Sequence, residues 1–267
     1  MNWPIALGAL GLIILAMTAV WLLSLRLRDA SVVDAFWGSG FALLALFYGI
    51  VQDGPTTRQV LVTGLAIVWG VRLSAHILRR LKGQPEDWRY AAWRKSAGES
   101  FWWKSYFTVF VLQGLLMWVI SAPLMVAQSS DAPARLSVVA LLGVAVWTIG
   151  FLFETVGDAQ LRRFKANPDN KGRVLQTGLW AYTRHPNYFG DCLVWWGFFL
   201  IAMSAPGGAW TVFSPSLMTV LLMRVSGVSL LESGLRQRRP GYAEYASRTS
   251  AFFPRRPRKT GSATAEK

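Results

Sequence analysis

The sequence predicts an all-α integral membrane protein, a bundle of seven transmembrane helices with its N-terminus outside and its C-terminus in the cytoplasm. Three observations predict it. Of 267 residues, 53% are AVILMFWYC and 16% are charged, against about a quarter charged in soluble domains. Apolar runs close to the ~20 residues that cross a bilayer recur at 3–25, 31–51, 59–78, 105–127, 136–156, 187–205 and 210–231. The basic residues gather in alternate connections, as cytoplasmic loops do.

The first run lacks a positive leading region, outlasts a signal-peptide core and is followed by Arg26 and Arg28, so it reads as a retained helix. The second and third runs are joined through Arg58, on the face that also holds Arg135. The connection 79–104 after the third run carries Arg79, Arg80, Lys82, Arg89, Arg94, Lys95 and Lys104. The connection 159–186 after the fifth carries Arg162, Arg163, Lys165, Lys171, Arg173 and Arg184, and the last run is followed by Arg236 and further arginines. Residues 1–253 therefore read as a single membrane domain, and 254–267 as a basic, disordered cytoplasmic tail.

The net charge of +14 raises the question of nucleic acid, but segregated cations with fourteen Trp and fifteen Phe suit membrane helices better than a base-stacking platform. One cysteine, Cys192, excludes an internal disulfide, and with two distant histidines no metal site is expected. The expected partners are the lipid bilayer and a hydrophobic substrate, with no nucleic acid, and the expected state is a monomer.

An ionisable side chain in hydrocarbon costs at least a few kcal/mol, so the exceptions carry information. Asp34 lies in the second run, Arg72 and His76 in the third, Glu154 and Asp158 at the end of the fifth, Asp191 in the sixth, and Arg224 and Glu232 in or beside the seventh. All fall in or near the cytoplasmic half, which argues for one polar cavity. Glu154, Asp158, Arg162 and Lys165 follow at four, four and three residues and share one face of a continued helix. Trp69, Arg72, His76 and Arg79 repeat at three, four and three. The competing reading is a set of interhelical ion pairs, Arg72 or Arg224 with Glu154 or Asp191.

The most informative stretch is Tyr182-Thr183-Arg184-His185-Pro186-Asn187-Tyr188-Phe189-Gly190-Asp191. Proline pre-sets the first helical turn, so a helix starts at Pro186 with Arg184 and His185 at its mouth. Free N–H groups, the helix dipole and an adjacent Arg suit an anion. Asn187 and Asp191, four apart, face one way and suit an amide or a ribose. The competing reading is that Arg184 and His185 cap the bundle and touch lipid headgroups.

The block from Glu154 to Phe199, centred on Arg184-His185-Pro186-Asn187, resembles the C-terminal domain of the membrane steroid 5α-reductase family, making 154–254 the reductase-like half. Asp34-Ala-Phe-Trp37-Gly38, Trp69-Gly-Val-Arg72 and Glu86-Asp87-Trp-Arg89-Tyr90 resemble its bacterial, DUF1295-like branch. The resemblance implies seven spans, NADPH held in a cavity open to the cytoplasm of a bacterial inner membrane, and reduction of the C=C bond of an enone lipid such as a 3-oxo-Δ4 steroid. It assigns cofactor contacts to Glu154, Asp158, Arg162, Lys165, Arg173, Arg184, His185, Asn187, Tyr188, Asp191 and Arg224, with Tyr182 as a contact or proton donor.

It likewise assigns engagement of the substrate carbonyl to Asp34, with Trp69 as aromatic partner. The mammalian reductases have Glu and Tyr at these two places, and indole is the poorer proton donor. A carboxyl group in a low-dielectric cavity can stay protonated and donate to the carbonyl, and Tyr182 and Tyr90 are alternative donors. A salt bridge between Asp34 and Arg72 is the structural alternative. Arg163 and Lys171 can trade places with the phosphate-binding cations, while His76 and His185 read as polar neighbours.

The Arg-His-Pro segment is shared with membrane methyltransferases that bind S-adenosylmethionine, which supplies a rival enzyme. A non-catalytic scaffold, its polar cluster consumed by ion pairs, is a third reading. The density of cations after residue 159 suits a dinucleotide phosphate better than a sulfonium. No Gly-x-Gly-x-x-Gly turn follows a strand, which excludes a soluble dinucleotide fold.

Overall fold

The computed structural model describes residues 2–52, 56–129, 136–225, 232 and 239–258. Among them it is all-helical, with a single isolated bridge between Thr183 and Ser250. The chain forms two compact units, one of 1–141 with 198–214 and one of 142–197 with 215–267.

In the first unit α1 (Trp3–Leu27), α2 (Val32–Ile50) and α3 (Thr57–Leu81) are long apolar helices. Thr56 opens α3 with a capping box, its hydroxyl taking the Gln59 N–H while the Gln59 side chain takes that of Thr56, which satisfies two otherwise orphaned donors. Helices α2 and α3 touch backbone to backbone at Gly38 and Gly70. A methyl on either would lie 2.3 Å from the other's carbonyl oxygen. Trp118 donates to the Ala6 carbonyl at 2.8 Å and ties α1 to α6 (Leu112–Ile120).

The region expected as one span at 105–127 is more broken than its hydropathy suggests. Preceded by α4 (Trp88–Ala97) and α5 (Phe101–Ser105), it comprises a π-helical stretch Tyr106–Val111, α6, and α7 (Ala122–Gln128) after a turn at Ser121. Pro123 in the first turn of α7 has no N–H to continue the preceding ladder. Arg58, expected on an exposed loop, is instead buried in the first turn of α3, its Nε 2.7 Å from the Ala127 carbonyl. A helix end otherwise short of donors is satisfied there.

In the second unit α8 (Val138–Ala166) enters and runs unbroken past the expected end at residue 156. It crosses α9 (Pro186–Met203) on glycine. A methyl on Gly150 would lie 2.6 Å from the Gly190 carbonyl, and one on Gly197 would lie 2.7 Å from the Trp147 backbone nitrogen. Gly150 and Gly157, like Gly190 and Gly197, are seven apart, one heptad on each helix, and small residues at such spacing let helix backbones meet. The chain continues through α10 (Phe213–Val220) and a π-helical stretch Leu221–Val225, and α11 (Tyr242–Arg248) follows.

Among the described residues six helices are long and apolar enough to cross a membrane: Trp3–Leu27, Val32–Ile50, Thr57–Leu81, Trp88–Ile120, Val138–Ala166 and Gly208–Val225. The sixth expected span, 187–205, is helical as α9 but is not among these six, because Pro186, Asn187, Tyr188 and Asp191 interrupt its apolar run. The end of the seventh expected span at 226–231, Arg135, Arg236 and the tail from 259 lie outside the described residues.

Candidate functional site

Two polar clusters, one in each unit, hold most of the residues singled out in the sequence. In the second unit the helix does begin at Pro186. Behind it Thr183 donates to the Phe252 carbonyl at 2.8 Å, and the Arg184 N–H reaches the Ser250 carbonyl at 2.9 Å. The strand-like contact holds Arg184 and His185 at the mouth of α9.

Arg184 is buried. Its Nε and Nη2 grip the Glu232 carboxylate at 2.8 and 2.9 Å, while Nη1 donates to the carbonyls of Ala246 and Thr249. These are the last carbonyls of α11, which a helix leaves unsatisfied. Expected as a phosphate ligand, Arg184 is committed to an internal clamp, close to the capping alternative. His185 stacks on Tyr188 with centroids 5.6 Å apart and planes at 9°, and its Nε2 lies 3.3 Å from Glu232. The sequence placed Glu232 among the membrane charges but did not pair it with Arg184, 48 residues away.

Burial pushes the Glu232 carboxyl up, and the bonds from His185 and Arg184 more than reverse this, so it titrates below the ordinary 4.5. A carboxylate depressed on folding contributes stability that is present above its unfolded pKa and fades as pH falls through the folded one. In thermal melts of the detergent-purified protein, we therefore expect the melting temperature to drop below about pH 4.5 and this dependence to flatten in Glu232→Gln. An unchanged acid limb in the variant would contradict the assignment.

The α8 face is as the spacing predicts: Glu154 and Asp158 are buried, whereas Arg162 and Lys165 are exposed. Asn187 in the first turn of α9 donates to Asp158 at 3.0 Å, and Gly157 lies under it, where a methyl would sit 3.2 Å from the Asn187 nitrogen. Trp180 donates to the Gly157 carbonyl at 3.1 Å and fixes the turn Gly178–Ala181 on α8. Asp191 is half-buried one turn further along α9. Arg173, Arg163, Lys171 and Arg224 are exposed, as is Tyr182, at 47%.

In the first unit Asp34 stands in the first turn of α2. Its Oδ2 accepts from Arg89 at 2.8 Å and its Oδ1 from the Tyr90 hydroxyl at 2.7 Å. Gln113 donates to the Tyr90 oxygen at 3.3 Å. Arg89 also bonds Asp87, which caps α4. Both Asp87 and Glu86 are raised by burial and then carried below the usual carboxylate range, by bonds from Arg89 and from Arg94 respectively. Both Asp34 oxygens are thus engaged by partners from α4. Arg89 is the counter-charge that sequence reasoning missed, although it sits in a quoted motif. Trp69 is fully buried, its ring 5.9 Å from Phe41.

Among the described residues no group of three or more His, Cys, Asp or Glu is placed to hold a metal ion. The model of the protein family of unknown function DUF1295 matches residues 20–249. An uncharacterized protein of Schizosaccharomyces pombe is 24% identical across 94% of this chain and 80% of its own length. The 3-oxo-5-alpha-steroid 4-dehydrogenase 1 of Bos taurus is 34% identical and that of Homo sapiens 31%, each over 74 residues. Those matches cover 28% of this chain and 29% of each dehydrogenase, so the chain spans under a third of their length. No solved structure matches.

Proposed function

This chain belongs to the DUF1295 family, which is steroid 5α-reductase-like, and from that premise we propose that it is an NADPH-dependent membrane oxidoreductase reducing the C=C bond of an enone lipid, a 3-oxo-Δ4 steroid being the leading candidate. The reading includes seven spans, with α9 as the sixth, the N-terminus outside, and a site facing the cytoplasm of a bacterial inner membrane. The observation that carries it is the Asn187–Asp158 pair at 3.0 Å, set on the helix face that continues into exposed Arg162 and Lys165.

Those residues fit a dinucleotide phosphate. The amide and carboxylates of Asn187, Asp158, Asp191 and Glu154 match ribose hydroxyls and a carboxamide. Arg162, Lys165, Arg173 and Arg224 match phosphates. Arg184 and His185, with Tyr188 stacked on the imidazole, hold the wall of the site in shape. Bound NADPH supplies the hydride.

The protein's share of the reaction is to stabilise the charge that moves onto the substrate carbonyl. Asp34, held between Arg89 and Tyr90, is the acid that polarises it, with Tyr182 and Tyr90 as alternative donors. Trp69 contributes shape from within the core. Asp34→Asn and Tyr90→Phe are therefore expected to lower turnover more than NADPH affinity.

The test is binding of NADPH, NADH and S-adenosylmethionine to detergent-purified protein by calorimetry. We expect NADPH to bind and Asn187→Ala to weaken it about tenfold, the value of one to two lost hydrogen bonds. Binding of S-adenosylmethionine alone would overturn the reading.

A further inference from the structure

The helical stretch Trp88–Ile120 is 33 residues long, about 50 Å of helix against a hydrocarbon core of about 30 Å. Its first part must therefore lie elsewhere than across the bilayer. The backbone breaks where that requires: Gly98 takes φ +54°, and a π-helical stretch follows at Tyr106–Val111. Between Asp87 and that stretch, α4 and α5 form an elbow.

The elbow exposes Trp88 at 55%, Trp93 at 50%, Trp102 at 56% and Trp103 at 45%. Four indoles left outside a core in eighteen residues would be an aggregation hazard in water. Amphipathic rings are instead favoured at the headgroup level of a membrane. Trp88, Ala92 and Lys95, at four and three residues, share one exposed face of α4. On α5, Lys104 stands 5.6 Å over the Trp103 ring. Trp21 on α1 donates to the Trp102 carbonyl at 2.9 Å and its ring lies 4.9 Å from Tyr106, which anchors the elbow to the first helix.

The charges are sorted. Arg89 is committed to Asp34 and Asp87, and Arg94 to Glu86 at 2.8 Å. Lys95 and Lys104 remain exposed, against Glu99 as the single acid between residues 88 and 105. Exposed ammonium groups beside interfacial indoles complement the phosphates of anionic lipid.

We propose that Trp88–Ser105 is an interfacial anchor lying in the headgroup layer, which binds anionic phospholipid through Lys95 and Lys104. The proposal stands apart from the reductase reading and needs only that the chain is a membrane protein.

Native mass spectrometry of the full chain, offered equal phosphatidylglycerol and phosphatidylcholine, tests it. We expect preferential retention of phosphatidylglycerol, reduced about twenty-five-fold in Lys95→Gln/Lys104→Gln, since each cation near an anionic surface is worth about fivefold. The same charge loss in Arg255→Gln/Arg256→Gln is expected to leave retention unchanged. A second measurement stands if the double variant fails to fold: a spin label at Ala92→Cys, in a Cys192→Ala background and phosphatidylglycerol vesicles, is expected at headgroup depth. Equal retention of both lipids by the wild type, or loss in both double variants alike, would overturn the proposal. So would a label at position 92 as water-accessible as one at Lys171→Cys.

Discussion

Arg184→Ala is expected to cost the second unit about 3–5 kcal/mol, because removing one member of a buried ion pair strands the other. The side chains of Arg184 and Glu232 are only 8% and 13% exposed, at 2.7 Å. The substitution also frees the carbonyls of Ala246 and Thr249, and a buried acceptor without a donor adds its own desolvation penalty. Thermal melts of Arg184→Ala, Glu232→Ala and the double variant check it. The double variant should lose far less than the sum, since with both charges gone neither is left unpaired. Additive losses would show that the pair contributes little, and leave the phosphate role open for Arg184.

The second large effect is steric. Gly190→Val is expected to destabilise by about 3 kcal/mol or more, the upper end of overpacking penalties, because even the first carbon of the new side chain would lie 2.4 Å from the Glu154 nitrogen and 2.5 Å from the Gly150 carbonyl. Those are backbone atoms, so a helix must move rather than a rotamer. Asn187 sits one turn away on the same helix, so NADPH affinity should fall with stability. The counterpart is Gly64→Ala on α3. Nothing lies within 4 Å of its new methyl, so the variant should gain about 0.5–1 kcal/mol from a better helix former. If both variants melt alike, the close crossing is not what holds α8 to α9.

Local signals in the sequence were good guides where the cause is local. Pro186 announced the start of α9 through its own φ and missing donor. The four-four-three spacing of Glu154 to Lys165 described one face because α8 runs through to Ala166. The membrane class followed from composition, which needs no long-range information.

What escaped depends on partners distant in the chain. The Arg184 side chain meets Glu232, and Asp34 meets Arg89, 55 positions on, and no periodicity reports either meeting. Arg58 read as a loop cation because burial of a guanidinium is visible only once the Ala127 carbonyl is beside it. The heptad of Gly150 and Gly157 was legible in principle. A small-residue spacing becomes a crossing only when the facing helix offers Gly190 and Gly197.

The Arg184 clamp also sets an order on biosynthesis. A ribosome delivers Arg184 first, Glu232 forty-eight residues later, and Thr249 later still, at roughly 5–20 residues per second. For those seconds the guanidinium lacks its carboxylate and its carbonyls. The clamp is thus incomplete until Thr249 is made: in a nascent chain halted before it, Arg184 lacks one of the carbonyls that it donates to.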